Sequence, residues 1–226
     1  MELRMPDEVR IVLVDDHAVV RAGYRRFLEQ EPGYLVIGEA ASGEEAYALL
    51  QRIVPDIVLL DLSMPGLGGL SSLRRFKLRW PLLPILVFSM HDTVAFATQA
   101  LRGGANGYVT KGSDPQQMVD AVRSVLAGEM ALSPDVRQRL ERVADIRASP
   151  TLGLSVREFD IFRMIAGGKN HEDIAQLLNL STKTVANNHS TIRQKLGVST
   201  DIELLDVALE CGAAEGFPSQ IDKSGN

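Results

Sequence analysis

The residues best equipped for chemistry stand at the ends of apolar runs. Asp61 closes Ile57-Val58-Leu59-Leu60, Asp15 and Asp16 close the run Val9 to Val14, Ser89 closes Pro84 to Phe88, and Lys111 follows Ala105 to Val109. A run as apolar as Ile57 to Leu60 reads as a parallel strand covered on both faces. Its terminal carboxylate then lies at the carboxyl edge of a sheet, where open α/β folds place their ligands. Taken alone, Asp61 reads more readily as an aspartate that caps the next turn. If the strands neighbour one another, however, three carboxylates, a hydroxyl and an amine converge. Carboxylates so gathered repel unless a cation sits among them.

The elements that must position these groups alternate regularly. Strands are expected at Val9–Val14, Tyr34–Ile37, Pro55–Asp61, Pro84–Ser89 and Ala105–Val109. Helices are expected at His17–Glu29, from Ser42 (with a Ser-x-x-Glu box to Glu45), Leu70–Trp80, Thr93–Arg102 and Ser113–Leu126. Such alternation implies right-handed crossovers and a parallel sheet. A polar stretch follows, with Ser133-Pro134 opening a short helix and a loop through Ala148-Ser149-Pro150-Thr151. Four short helices fit 154 to 212, and the tail from Gly216 shows no pattern and is expected to be disordered. The expected domains are thus 1–127, a linker with a helix over 128–153, a helical domain over 154–212 and a tail over 213–226.

Composition excludes several classes. The chain has 226 residues, 45% hydrophobic, and a net charge of −5, so it is not a generally basic nucleic-acid coat. One cysteine, Cys211, excludes an internal disulfide framework and fits a reducing cytoplasm. Met1 to Glu8 is too charged for a signal peptide, and no apolar run approaches the roughly 20 residues of a membrane helix.

The set Asp15-Asp16, Asp61 with Met64-Pro65, Ser89, Tyr108 and Lys111 resembles the receiver domain of two-component response regulators. That resemblance covers about the first 127 residues and implies a flavodoxin-like fold, five parallel strands in the order 2-1-3-4-5. It implies that Asp61 accepts a phosphoryl group from a sensor histidine kinase. Asp15, Asp16, Asp61 and the Ser63 carbonyl would hold Mg²⁺. Lys111 and Ser89 would contact the phosphoryl oxygens, and Tyr108 would swing from an outward to an inward rotamer as the switch. Ser63 and His91, each two residues beyond a key position, would tune phosphoryl lifetime. Gly68-Gly69 stand where relatives often carry an acid or amide, a departure expected to loosen the loop.

In the second half, Ser155 and Glu158 form a capping box, Asn170 caps a second helix, and Ser181 caps a third that runs from Thr182 to Leu196. Two short helices joined by a tight turn suggest helix-turn-helix. Leu154-Ser155-Val156-Arg157-Glu158, Lys183-Thr184-Val185 and Gln194 to Val198 resemble the LuxR-type DNA-binding domain, so the whole chain is similar to NarL/FixJ-type response regulators. The third helix holds no acid. The resemblance places Ala186, Asn187 and Ser190 at base edges, with Lys183, Thr184, Thr191, Arg193 and Lys169 beside DNA. On the fourth helix Ile202, Leu205 and Leu209 are expected to face the core. Leu204, Val207, Ala208 and Cys211 then form a second apolar stripe for a homodimer, with burial against the receiver as the alternative.

Such a protein is a phosphorylation-gated DNA binder, dimeric when phosphorylated and not a turnover enzyme. An adaptor acting through protein contacts is the alternative suggested by the few cations of the third helix. A phosphatase of the haloacid-dehalogenase kind would need an aspartate where Ser63 stands.

Overall fold

The structure, a computed structural model, describes residues 8–64, 68–142 and 150–214. Pro65 of the expected turn, the loop at 148–149, the tail from 215 and the opening stretch to Asp7 lie outside the described residues. The chain divides into two compact units between Leu152 and Gly153.

The first unit is a parallel sheet of six strands, β1 (Val9–Val14), β2 (Tyr34–Ala40), β3 (Ile57–Leu60), β4 (Ile85–Ser89), β5 (Gly107–Thr110) and β6 (Ala131–Leu132). Their order is β2-β1-β3-β4-β5-β6. Between them run α1 (Ala18–Leu28), α2 (Gly43–Leu50), α3 (Gly68–Arg79), α4 (Val94–Arg102) and α5 (Pro115–Leu126), followed by α6 (Pro134–Arg142). Every residue of β3, β4 and β5 is buried, as strands covered on both faces must be. Ser42 caps α2 by accepting from the Glu45 N–H, while the Glu45 carboxylate reaches Ala41 N. Asp114, one residue later than expected, caps α5.

The five-stranded expectation is corrected by β6. A strand of two residues has no periodicity to read, yet β5 would otherwise expose an unpaired edge. Gly107 makes the pairing possible, since a Cβ there would stand 2.7 Å from Ala131 O. The polar helix expected in the linker, α6, belongs to this first unit. It packs on α4 and β5, with Val136 buried.

The second unit comprises α7 (Val156–Ala166), α8 (His171–Leu178), α9 (Thr182–Leu196) and α10 (Asp201–Glu210). Phe159, Ile161, Phe162, Ile174, Leu178, Val185, Ile192 and Leu204 form its core. The Ser155–Glu158 capping box is present with both bonds. Asn179 adopts φ 51°, turning the chain tightly between α8 and α9. Thr200 caps α10, in a second box with Glu203. Ala213, expected in a patternless tail, is buried and donates its N–H to Ala208 O at 2.8 Å.

Candidate functional site

The carboxyl edge of the sheet gathers the polar strand ends because the central strands are neighbours in register. The Asp61 N–H donates to Val14 O at 2.9 Å and the Lys111 N–H to Ser89 O at 2.8 Å. The Lys111 ammonium lies 2.5 Å from Asp15 Oδ2 and 2.7 Å from Asp61 Oδ2, with all three side chains buried. Burial pulls that ammonium down, but hydrogen bonds and charge from Asp15 and Asp61 outweigh it and hold its pKa above the ordinary lysine value. Asp15 Oδ1 accepts the His17 N–H at 2.8 Å, and Asp61 Oδ1 accepts the Ser63 N–H at 3.0 Å.

Ligand atoms of Asp15, Asp16, His17 and Asp61 all lie within 4.8 Å of one another, a spacing able to hold a metal ion. Asp16 Oδ1 is buried without a hydrogen-bond partner, though His17 Nδ1 stands 3.0 Å away. His17 was not singled out from sequence, although it directly follows the acid pair. Arg21 was also missed. Its Nη1 donates to Asp15 O at 2.6 Å while its Nε donates to Glu39 at 2.9 Å, which fixes the acidic loop to β2. No spacing rule announces such a contact.

Gly68 and Gly69 open α3, and the loop they were expected to loosen, 65–67, lies outside the described residues. Gly68 has φ 73°, a left-handed backbone. A Cβ on Gly69 would stand 2.3 Å from Asp61 O and 2.4 Å from Leu62 Cα. The start of α3 therefore presses directly on the backbone of Asp61, an approach only glycine allows.

Ser89 is fully buried. Its Oγ accepts the His91 N–H at 3.3 Å and lies 3.4 Å from Ser63 Oγ. Tyr108 is turned inward and buried, its hydroxyl donating to His91 O at 2.7 Å. The His91 ring stacks on Phe96 at 3.8 Å rather than standing free in solvent. Three links then tie this region to α6 and its approach. The Ser133 N–H donates to Tyr108 O at 3.0 Å, Thr110 Oγ1 donates to Asp135 at 3.0 Å, and Arg139 pairs with Asp92.

In the second unit, Lys183, Ala186, Asn187 and Ser190 are exposed along one face of α9. Thr184 and Thr191 are half-buried, with hydroxyls engaged by Ser181 Oγ at 2.8 Å and Asn187 O at 3.0 Å. Lys169 is half-buried just before α8. Arg193, expected beside DNA, instead pairs with Asp201 at the start of α10. Lys195 is likewise taken by Glu158, at 2.7 Å. His189 is buried on the inner face of α9. Its Nδ1 lies 2.9 Å from His171 Nε2 and its Nε2 lies 2.8 Å from Asp201.

The expected dimer stripe is corrected. Leu204 and Ala208 are fully buried within their own unit and Val207 and Cys211 half-buried, whereas Ile202 is 74% and Leu209 62% exposed. Apolar residues surround α10, so periodicity alone permits two phases. Packing on α7 and the turn at Ala213 select the phase that buries Leu204 and Ala208.

A doubly wound sheet with an acid-and-lysine cradle at its carboxyl edge, followed by a helix-turn-helix unit, is the architecture of a two-domain signalling regulator. The response regulator receiver domain family matches residues 11–123, and the bacterial regulatory proteins of the luxR family match 152–208. Response regulator UvrY of Escherichia coli (strain K12) is 37% identical over 94% of this chain and 100% of its own length. Response regulator GacA of Pseudomonas viridiflava is 37% identical over 92% and 98%. RcsB from Salmonella enterica serovar Typhimurium, solved bound to promoter rprA with phosphomimetic BeF3-, shares 28% identity at a TM-score of 0.71, covering 88% of this chain and 98% of RcsB. The chain belongs to the NarL/FixJ family of response regulators, a receiver joined to a LuxR-type DNA-binding domain. No helix among the described residues is long and apolar enough to cross a membrane.

Proposed function

We propose that this regulator works in the cytoplasm, accepting a phosphoryl group on Asp61 from a sensor histidine kinase and binding DNA as a dimer in response. The observation that carries this reading is the buried Lys111 ammonium bridging Asp15 and Asp61. Asp61 is held at a glycine-tight strand end and offers a carboxylate to phosphorus. As the new O–P bond forms, the P–N bond of the phosphohistidine donor breaks and the imidazole takes up a proton. Lys111 is placed to pass from the Asp61 carboxylate to the phosphoryl oxygens.

The residues fit a divalent cation. Three carboxylates against one ammonium leave the cradle at −2, and one buried oxygen of Asp16 has no hydrogen bond to satisfy it. All-oxygen donors from Asp15, Asp16, Asp61 and the Ser63 carbonyl suit Mg²⁺. When bound, Mg²⁺ would screen the repulsion between an anionic nucleophile and an anionic phosphoryl group.

Ser89 donates its hydroxyl to the phosphoryl group once that group is attached. It then releases the His91 N–H it now accepts, and the loop that anchors the Tyr108 hydroxyl shifts. Asp92 lies in that loop, so the Arg139 pair carries the movement to α6. Ser63 and His91 are placed to set the phosphoryl lifetime by controlling water access. The chemistry is one transfer onto the protein itself followed by hydrolysis, not turnover of an outside substrate.

The exposed face of α9 reads DNA, as the promoter complex of RcsB suggests, with Lys183 on phosphate, Asn187 at an adenine edge and Ala186 at a thymine methyl. Arg193 and Lys195 are occupied internally, so one copy binds weakly and two are needed. The exposed Ile202 and Leu209 offer the dimer contact. Acetyl phosphate with Mg²⁺ should label Asp61 with acid-labile phosphate and raise operator binding, and Asp61→Ala should lose both. Equal DNA binding by the labelled protein and the variant would overturn the gating.

The same internal pairing of α9 cations favours a second reading, an adaptor working through protein contacts. In that case a salt titration finds no operator-specific binding at physiological ionic strength.

A further inference from the structure

We infer that the amino-terminal edge of the receiver sheet, opposite the phosphoacceptor edge, is a docking surface for an acidic, leucine-bearing segment of a partner protein. A cavity of about 500 Å³ opens there, walled by Ile53, Val54, Trp80, Leu82, Leu83 and Pro84. Two of these walls stand in solvent, Val54 at 77% and Leu82 at 94% exposed. Large apolar side chains scattered singly over a surface mean little, but grouped around a cavity they mark an interaction site.

Charge selects the partner. From Leu62 to His91 the chain holds no Asp or Glu, although it carries 29 acids and a net charge of −5. The same stretch supplies Arg74, Arg75 and Arg79, and Arg52 lies beside the cavity's other wall, while the Lys77 ammonium is engaged internally by Leu83 O and Asn106 Oδ1. The Arg79 guanidinium, which lines the cavity, stands 5.6 Å from the centre of the Trp80 ring. Among the described residues no carboxylate pairs with Arg52, Arg74 or Arg79. Asp56, the acid in the cavity wall, already accepts the Arg10 N–H on its Oδ2 at 2.8 Å. A surface of this kind draws acids and repels bases. The site is also concave, and Pro81 and Pro84 bracket and stiffen its Leu82-Leu83 wall. A pocket of that shape receives inserted side chains, whereas a lipid surface calls for a protruding wedge.

Trp80 is the only tryptophan of the chain, so its emission reports on this cavity. Full-length protein is titrated with a peptide of alternating glutamate and leucine, and with the same peptide carrying lysine for glutamate. The acidic peptide should shift Trp80 emission to shorter wavelength and saturate, with the basic peptide binding at least about tenfold more weakly. Leu82→Ser, at a position too exposed to disturb folding, should weaken the acidic peptide. A double change of Arg52→Glu and Arg79→Glu should reverse the preference between the two peptides, with far-UV circular dichroism confirming the fold. Any of four results would overturn the assignment: no emission shift, equal response to both peptides, a response confined to phosphatidylglycerol-containing vesicles, or a shift that follows protein concentration alone as the pairing of two copies would.

Discussion

Replacing Lys111 by methionine keeps the apolar stem and removes only the charge. The ammonium sits 2.5 Å from Asp15 and 2.7 Å from Asp61, and its side chain is 4% exposed, that of Asp61 1%. Its loss takes the cradle from a net −2 to −3 while Asp61 stays buried. Removing one partner of a buried pair costs about 3–5 kcal/mol. Asp16 is partly exposed and can relax, so the lower end applies, near 3 kcal/mol, a fall of roughly 6–12 °C in Tm. Trp80 lies in the same unit, so urea unfolding followed by its fluorescence in EDTA isolates the receiver. Mg²⁺ should then narrow the deficit. A unit charge about 4 Å away amounts to roughly 1 kcal/mol in bulk water and more at a buried site, so at least about fivefold in affinity. The variant should therefore bind Mg²⁺ more tightly than the parent. Equal stability in EDTA would refute the charge balance. A deficit indifferent to Mg²⁺ would detach these acids from cation binding.

Gly69→Ala should cost about 1–3 kcal/mol, because a Cβ 2.3 Å from Asp61 O forces the backbone to move, and phosphoryl uptake from acetyl phosphate should fall with it. Normal uptake and an unchanged melting curve would show that the contact is dispensable. Leu204→Ala should destabilise the helical unit by about 2–5 kcal/mol in calorimetry, whereas Ile202→Ser should stay within about 0.5 kcal/mol. Ile202→Ser should nevertheless weaken binding to paired operator sites, and the converse pattern would restore the sequence-based stripe. Burial, with help from Arg193 and His171 and against Asp201, holds the pKa of His189 below the ordinary imidazole value. The unfolded chain takes up that proton below roughly pH 6.5, so the helical unit should lose stability as pH falls from there. His189→Gln should flatten this dependence of the calorimetric transition, and an unaltered slope would move its origin elsewhere.

The first unit was legible because its code is local and redundant. Four-residue runs such as Ile57 to Leu60 cannot sit in water, and regular alternation with amphipathic helices leaves few topologies. The acid, hydroxyl and lysine at the strand ends then followed from topology, because neighbouring strands in register leave their last residues in one place. What escaped was information of another kind. The sixth strand spans two residues and owes its existence to the empty edge of β5 and a glycine across from Ala131. Arg21 reaches Asp15 through space, with Glu39 as its second anchor, and nothing along the chain records the triangle.

The fourth helix of the second unit shows where periodicity fails. Ile202, Leu204, Leu205, Val207, Ala208 and Leu209 are apolar almost all round, so a pattern rule finds two faces and cannot rank them. The ranking is set by the partner helix and by side-chain size. Leu204 and Ala208 are fully buried on an α10 that packs on α7, and Ala213 folds back onto Ala208. The third helix fails in a different way. Its cations are countable from the sequence, but their availability is not, because Asp201 and Glu158, the partners of Arg193 and Lys195, lie on other helices. Among the described residues Lys183 is the one α9 cation without an acidic partner, so a helix proposed to read DNA would gain little from a single docking event. On the proposed reading, pairing two copies through Ile202 and Leu209 would turn a weak reader into a specific one, and phosphorylation would need only to bias that pairing.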